Sequence, residues 1–97
     1  MAIGIQFGYC QIDSFKEDQL VVKNYSTDIV TLDISTDGDP EIQSIHGMSL
    51  NLFPNQTFTI PIFLFPHGVA TYSSNLILDF NKGNFIKNIP MYGQGVN

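Results

Sequence analysis

The sequence predicts an all-β protein that folds as an antiparallel two-layer sandwich, and two observations support this fold class. Apolar and polar residues alternate with a period of two in several segments along the chain, which is typical of strands that bury one face. Turn-forming residues separate these segments at intervals of about 8 to 12 residues, the spacing of antiparallel sandwiches. Seven strands are predicted, at 20–23, 29–35, 41–45, 49–52, 57–64, 76–80 and 85–92.

The first two strands lie on either side of a polar turn. The segment 20–23 is mostly apolar and ends where the turn-forming residues 24–28 begin. The segment 29–35 shows the clearest alternation, in the order Val30, Thr31, Leu32, Asp33, Ile34, Ser35. We therefore expect this strand to have one buried face and one exposed face.

A helix-capping pattern precedes these strands. Ser14 and Glu17 have the spacing of a capping box, in which two side chains satisfy the free amides at a helix start. Only a few residues follow before the β-branched Val21 and Val22, too few for a helix to be stable in water. A turn or a single helical turn is expected there.

The middle of the chain is predicted to hold two short strands. The segment 36–40 is rich in Asp and Gly, which form a dense turn signal. Strands are expected at 41–45 and 49–52, separated by His46 and Gly47.

The last three strands include the longest ones. Four apolar side chains alternate through 57–64, and the same pattern returns in 76–80. The segment 81–84 is a hairpin connection to the final strand, 85–92.

Two prolines fall inside these strands. Pro61 and Pro90 each lack a backbone donor, so both are expected on edge strands or at positions that face an edge.

Length and charge exclude several classes of protein. One domain, residues 1–97, is expected for a chain of 97 residues. The chain carries four Lys, no Arg and nine acidic residues, for a net charge of -5. This balance argues against nucleic acid and anionic membranes as partners, because both bind clusters of basic residues.

No membrane or secretion signal is predicted. The longest apolar run, 60–65, is far shorter than the roughly 20 residues of a spanning helix. The N-terminus lacks the basic flank and sustained apolar segment of a signal peptide. We expect a location in a virion or in the cytoplasm. Cys10 is the single cysteine, and a buried, inert thiol is its expected state.

Several segments together form a recognisable series of turn and strand signatures. They are Phe7-Gly8, Val22-Lys23-Asn24-Tyr25-Ser26, Leu52-Phe53-Pro54-Asn55-Gln56, the strand 58–66 ending in Phe65-Pro66, the segment from Gly68 through Tyr72 to Leu78, and Ile89-Pro90-Met91-Tyr92-Gly93-Gln94-Gly95. This series resembles the ASH/HYDIN-type immunoglobulin-like domains, relatives of the major sperm protein and PapD folds. The resemblance implies a seven-stranded antiparallel immunoglobulin-like β-sandwich.

Two departures from the family pattern concern local geometry. Asn55 stands where the family has a turn glycine, and because Asn tolerates a left-handed backbone, the turn is expected to survive. Phe65 directly precedes Pro66, where the family usually separates the two. This could shift the register near Phe65 and change the side to which its ring points.

The resemblance also implies a function class. Such domains are non-catalytic interaction modules in ciliary, centrosomal and bacterial surface assemblies. The chain is expected to be complete as one module, and we expect a structural subunit of a larger assembly. A decoration or accessory protein of a phage capsid or tail is the leading expectation, and a ciliary, centrosomal or cytosolic scaffold adaptor is the alternative. The expected partner is a capsid, tail or scaffold protein, with a second copy of the chain as a further candidate.

Catalytic and cofactor chemistry is not expected. The two candidate bases, His46 and His67, each precede a glycine in a turn, and no Gly-x-Ser-x-Gly elbow presents a serine. One Cys and two distant His do not form a transition-metal site. We therefore expect no enzyme activity, no cofactor and no metal centre.

Two binding alternatives from another class stay open. The acidic segment 37–41 could hold Ca²⁺ weakly, although it lacks the spacing of an EF-hand loop. Carbohydrate binding could use exposed aromatic rings, for which the scattered Tyr9, Tyr25, Tyr72 and Tyr92 are available.

A docking patch is the strongest functional hypothesis. If the alternating apolar residues of 57–64 fill the core, Phe63 points outward. We expect it to form an apolar patch with neighbouring residues, and the predicted site is Phe53, Phe63, Phe65, Pro66 and Val69. The alternative is that a bulge at Phe65 or a neighbouring loop covers these rings.

Overall fold

A computed structural model describes residues 4–97. Residues 1–3 lie outside the described range. They belong to the N-terminal segment in which the sequence predicts no signal peptide. Eight strands are present: β1 (Ile5–Gln11), β2 (Lys16–Lys23), β3 (Val30–Gly38), β4 (Ile42–Ser44), β5 (Met48–Leu52), β6 (Thr57–Leu64), β7 (Thr71–Phe80) and β8 (Phe85–Val96). Across this range, no helix combines the length and apolar character needed to cross a membrane.

The strands form the two layers of a β-sandwich. One sheet has five strands in the order β1-β8-β7-β3-β5, and the other has three in the order β2-β6-β4. The all-β sandwich prediction is confirmed. The prediction of seven antiparallel strands is corrected to eight, with β1 and β8 paired in parallel.

The additional strand, β1, departs from simple alternation. Its register against β8 shifts between Gln6 and Tyr9, and Gly8 within this bulge has a φ of 70°. The inserted residue allows Phe7 and Cys10, three positions apart, both to be buried. A search for strict period-two alternation therefore misses this strand, whereas Cys10 is buried as predicted.

Four strand boundaries differ clearly from the predictions. β3 runs through Thr36 and Asp37 to Gly38 because its ladder with β7 continues that far, so the turn lies at 40–41. β7 begins at Thr71, and β8 continues to Val96. The expected turn near Ser14 is a turn at 12–13, with no helical turn, and β2 begins at Lys16.

The turn that carries Asn55 survives without glycine, as predicted. Asn55 has a φ of 66°, a left-handed conformation that Asn adopts more readily than most residues. Its backbone N–H donates to the carbonyl of Asn24 at 2.8 Å. This bond ties the β5–β6 turn to the end of β2.

The core lies between the two sheets and is built by inward positions of most strands. Its fully buried side chains include Leu32, Ile34, Leu52, Ile60, Ile62, Leu64, Leu76 and Met91. Neither proline lies on an edge strand, since β6 and β8 each lie between two other strands, so that part of the prediction is wrong. Pro61 lies in central strand β6, and its carbonyl accepts a bond from Ser44 Oγ at 2.7 Å. Its backbone therefore faces β4 one position beyond their last pair, Ser44 with Ile62. Pro90 lies in β8, one position before the β1 pairing begins at Met91.

Candidate functional site

The outer face of the three-stranded sheet presents an aromatic ring from its middle strand. Ile60, Ile62 and Leu64 are fully buried, so the pleat turns Pro61 and Phe63 to the opposite face. Phe63 lies across from Glu17 of β2 and Gln43 of β4. Phe63 therefore points outward as predicted. The register of β6 is unbroken through Leu64, so no bulge in the strand covers the ring, which is nevertheless half-buried.

Phe63 belongs to a row of three phenylalanines, here called the aromatic cluster: Phe63, Phe65 and Phe15. The rings of Phe63 and Phe65 stack with centroids 5.9 Å apart. Those of Phe65 and Phe15 are tilted with centroids 5.6 Å apart. Offset and tilted pairs of this kind are each worth about 0.5 to 1.5 kcal/mol. The outermost ring, Phe15, is 57% exposed.

Backbone hydrogen bonds hold the cluster in place. The N–H of Phe65 donates to the carbonyl of Glu41 at 2.8 Å, and the N–H of Asp13 donates to the carbonyl of Pro66 at 2.8 Å. The second bond joins the β1–β2 turn to the loop 65–70, which brings Phe15 beside Phe65. Sequence patterns did not indicate Phe15, because this contact depends on a bond between distant segments.

The remaining predicted patch residues occupy different environments. Val69 is 61% exposed in the loop 65–70, whereas Pro66 in the same loop is fully buried. Phe53 is 54% exposed but precedes Thr57, at the other end of β6. The two ends of this strand are roughly 23 Å apart, at about 3.3 Å per residue. The structure therefore brings Phe63 and Phe65 together and separates them from Phe53.

Acidic groups border the aromatic cluster. Glu17 faces Phe63 across the strand pair, and Asp13 Oδ1 lies 4.0 Å from His67 Nδ1, with both side chains largely exposed. The neighbouring cation, Lys16, is directed elsewhere, since its Nζ donates to the carbonyl of Phe7 at 3.2 Å. The surface around the cluster is therefore apolar at its centre and acidic at its border.

A separate groove of about 310 Å³ lies at the other end of the sandwich. Phe80 and Phe85 form part of its wall, with ring centroids 5.9 Å apart. Buried Asn24 organises the adjoining loop: its Nδ2 donates to the carbonyls of Asp28 and Leu52 at 2.8 and 2.9 Å, and its Oδ1 accepts from the N–H of Ser26 at 2.9 Å. The hydrogen-bonding groups of the Asn24 side chain are thus satisfied within the chain.

Two of the four tyrosines meet on the outer face of the five-stranded sheet. Tyr9 and Tyr92 line a groove of about 290 Å³ together with Gln6, Gln94 and Thr71. Tyr9 is 67% exposed and Tyr92 45%. In contrast, Tyr72 is buried, and its hydroxyl accepts from the N–H of Gly68 at 3.0 Å and donates to the carbonyl of the same residue at 3.1 Å.

The candidate catalytic and metal-binding residues lie apart. His46 Nδ1 accepts from the N–H of Thr36 at 3.1 Å, beside the β5 edge of the sheet, whereas Cys10 is buried in β1 at the opposite edge. The Asp39 carboxylate accepts from the N–H of Ser73 at 2.8 Å. Within 4–97, no group of three or more His, Cys, Asp or Glu side chains is placed to hold a metal ion.

Comparison with known proteins supports the fold. No protein-family model matches the sequence, and no curated protein matches it at a significant level. Among solved structures, the ASH/PapD-like domain of human CEP192 (PapD-like domain 7) is similar over 100% of this chain and 83% of its own, with a TM-score of 0.78 and 15% identity.

Bacterial proteins show the same architecture. The chaperone-tip adhesion subunit complex CsuC-CsuE from Csu pili of Acinetobacter baumannii is similar over 92% of this chain and 49% of its own, with a TM-score of 0.65 and 12% identity. A FixG-related protein of Vibrio parahaemolyticus is similar over 88% of this chain and 82% of its own, with a TM-score of 0.64 and 12% identity. The chain thus has the ASH/PapD-like, immunoglobulin-like sandwich fold implied by its sequence.

Proposed function

We propose that this chain is a non-catalytic protein-interaction module that binds a larger protein assembly through the aromatic cluster. The observation that carries this proposal is the row Phe15–Phe65–Phe63 on the outer face of the smaller sheet. Binding would occur by shape and apolar contact, with no turnover.

The energetic argument concerns apolar area that folding leaves uncovered. Burying a phenylalanine side chain is worth about 1.5 to 3 kcal/mol, and the outermost ring of the cluster is more than half exposed. A partner that covers Phe15 gains this free energy. The acidic border of the cluster would then favour partners with Lys or Arg at the rim of their surface.

We propose two settings for this function. One is a decoration or accessory subunit of a phage capsid or tail, which rests on the sequence alone. The other is an adaptor in a ciliary, centrosomal or cytosolic scaffold, to which the structural likeness to the CEP192 domain lends support. The similar Csu chaperone was solved together with an adhesion subunit, and this is in keeping with protein partners in either setting.

The test compares assembly by two matched phenylalanine variants. Tagged chains would be expressed in their native cells, and their co-sedimentation with large assemblies measured on a density gradient. Phe63→Asp should remain in the light fractions, whereas Phe53→Asp, at the far end of β6, should sediment like the unsubstituted chain.

Thermal melting of each variant shows whether it is folded, so that loss of co-sedimentation can be assigned to lost binding. If Phe63→Asp unfolds, Phe15→Asp replaces it, because the Phe15 ring is more exposed. Normal co-sedimentation of a folded variant at Phe63 or Phe15 would contradict the proposal.

A second candidate function is carbohydrate binding, favoured by the convergence of Tyr9 and Tyr92 on one groove with two glutamine amides. Tyrosine rings can cover the apolar face of a sugar, and amides can bond its hydroxyls. A glycan array would show binding that is lost in Tyr9→Ala and Tyr92→Ala but retained in Tyr25→Ala, at the other end of the molecule. Absence of glycan binding by the unsubstituted chain would eliminate this candidate.

Calcium binding at 37–41 gains no support from the geometry.

A further inference from the structure

The four edge strands of the sandwich differ in how well they are protected against strand addition. β1 contains a bulge, β4 has three residues and β5 has five, all features that discourage pairing with another chain. β2 instead has eight residues in unbroken register with β6, and its protection is limited to charged side chains of both signs near its ends. An open groove of about 310 Å³ lies beside it, lined by Glu17, Asp18 and Gln19.

The unpaired backbone groups of β2 can be identified by alternation. Asn24, which follows β2, donates from its N–H to Gln56 and accepts at its carbonyl from Asn55, so its backbone faces β6. Because backbone direction alternates along a strand, Leu20 and Val22 also face β6. The backbone groups of Glu17, Gln19, Val21 and Lys23 therefore face the free edge.

We propose that two copies of this chain form a dimer by antiparallel pairing of their β2 edges. A two-fold axis passes beside Leu20, so that Leu20 lies opposite Leu20 of the second copy. Gln19 then lies opposite Val21, and Glu17 opposite Lys23. The two three-stranded sheets become one continuous sheet of six strands, and the interface is self-complementary, as a two-fold axis requires.

Charge and hydrogen bonding select this register. A shift by one residue would set edge-facing backbone groups opposite groups that point away. A shift by two residues in one direction places Asp18 opposite Leu20 and Glu17 opposite Val21, and in the other direction it leaves Glu17 without a partner. The proposed register instead gives two Glu17–Lys23 pairs, and opposite charges directly across a strand pair are stabilising.

Two local contacts compete with the dimer. The first is at Lys23, whose Nζ lies 5.1 Å from the centroid of the Tyr25 ring, and the second is a hydrogen bond at the free edge. Asp18 Oδ1 accepts from the edge-facing N–H of Gln19 at 2.7 Å, and this bond must open before Gln19 can donate to the second copy. Asp18→Ala removes the competing acceptor. The two-fold dimer contains two such Gln19 donors, so dimer affinity should then rise about tenfold to a hundredfold, the equivalent of two hydrogen bonds.

The decisive experiment is a charge exchange followed by sedimentation equilibrium from about 1 µM to about 1 mM chain. The unsubstituted chain should approach twice its mass of 10.8 kDa. Glu17→Lys or Lys23→Glu alone creates two like-charge pairs, which should weaken dimerisation by roughly tenfold to a hundredfold at low salt. The double variant Glu17→Lys/Lys23→Glu should restore it, and a mixture of the two single variants should form the heterodimer.

A backbone variant tests strand pairing independently of charge. Val21→Pro removes an edge-facing donor while the β6 ladder keeps its bonds, so it should give a folded monomer. A chain that stays monomeric throughout the range would overturn the proposal, as would a dimer insensitive to both the charge reversals and Val21→Pro. Phe63→Asp should leave the dimer mass unchanged, so failure of this inference and failure of the proposed function are distinguishable.

Discussion

The two outer faces of the sandwich follow the same alternation but carry different side chains. Near the loop 65–70, the outer face of the three-stranded sheet presents Pro61, Phe63 and the rest of the aromatic cluster. The outward positions of β3 and β7 in the five-stranded sheet are mainly hydroxyls, amides and carboxylates: Thr31, Asp33, Ser35, Thr71, Ser73, Asn75 and Asp79.

This difference separates what folding requires from what it permits. Both inner faces must be apolar because they form the core. Strands β3 and β7 show that the outer face of a sheet can be largely polar in the same fold, so the aromatic cluster is not a requirement of the sandwich. The proposed binding role of the cluster rests on this contrast between the two outer faces.

The largest expected effect concerns the loop that supports the aromatic face. A Cβ at Gly95 would collide with the carbonyl oxygen of Gly68 and lie 2.8 Å from Cβ of Pro66. Gly95→Ala should therefore lower the free energy of unfolding by about 3 kcal/mol, because backbone atoms in a packed region must move. Denaturant unfolding measures this loss.

Gly68→Ala is the matched control for the same loop. A Cβ at Gly68 would meet only the Tyr72 hydroxyl, at 3.7 Å, which is an ordinary contact. Its effect should stay within about 0.5 kcal/mol. Equal effects of the two substitutions would show that the loop does not depend on close approach at Gly95.

A buried and an exposed tyrosine of the five-stranded sheet are expected to differ by an intermediate amount. Tyr72→Phe removes the hydroxyl that bonds both the N–H and the carbonyl of Gly68, and should cost about 1 to 2 kcal/mol of stability. Tyr92→Phe, on the polar outer face, should cost less than about 0.5 kcal/mol. Thermal melting of the two variants checks the difference, and a larger loss for Tyr92→Phe would contradict it.

The sequence indicated features that depend on neighbours along the chain. Alternation through 57–64 predicted that Phe63 faces outward, because the pleat allows no other outcome once Ile60, Ile62 and Leu64 are buried. The left-handed turn at Asn55 was predictable for the same reason, since backbone preference is local.

Features that depend on distant segments were not predictable in this way. Phe15 joins the aromatic cluster through a bond between the β1–β2 turn and Pro66, and Tyr9 meets Tyr92 because β1 pairs in parallel with β8. The tyrosines are far apart in the sequence, so their spacing carries no sign of a shared groove. Phe53 illustrates the reverse error. It is close in sequence to β6, the strand that carries Phe63, but it lies at the opposite end of that strand.

The smallest expected effect lies on the polar face, where like charges oppose each other. Asp33 and Asp79 pair directly across β3 and β7, and Lys82 Nζ lies 3.7 Å from Asp33 Oδ2. Lys82→Gln should cost about 0.5 kcal/mol at low salt, because opposed carboxylates then lose a nearby cation. The loss should shrink as salt screens the charges and vanish in an Asp33→Asn background, where no like-charge pair remains. A loss of equal size in that background would mean that Lys82 stabilises the 81–84 turn by its backbone conformation, since its φ is 55°, and not by its charge.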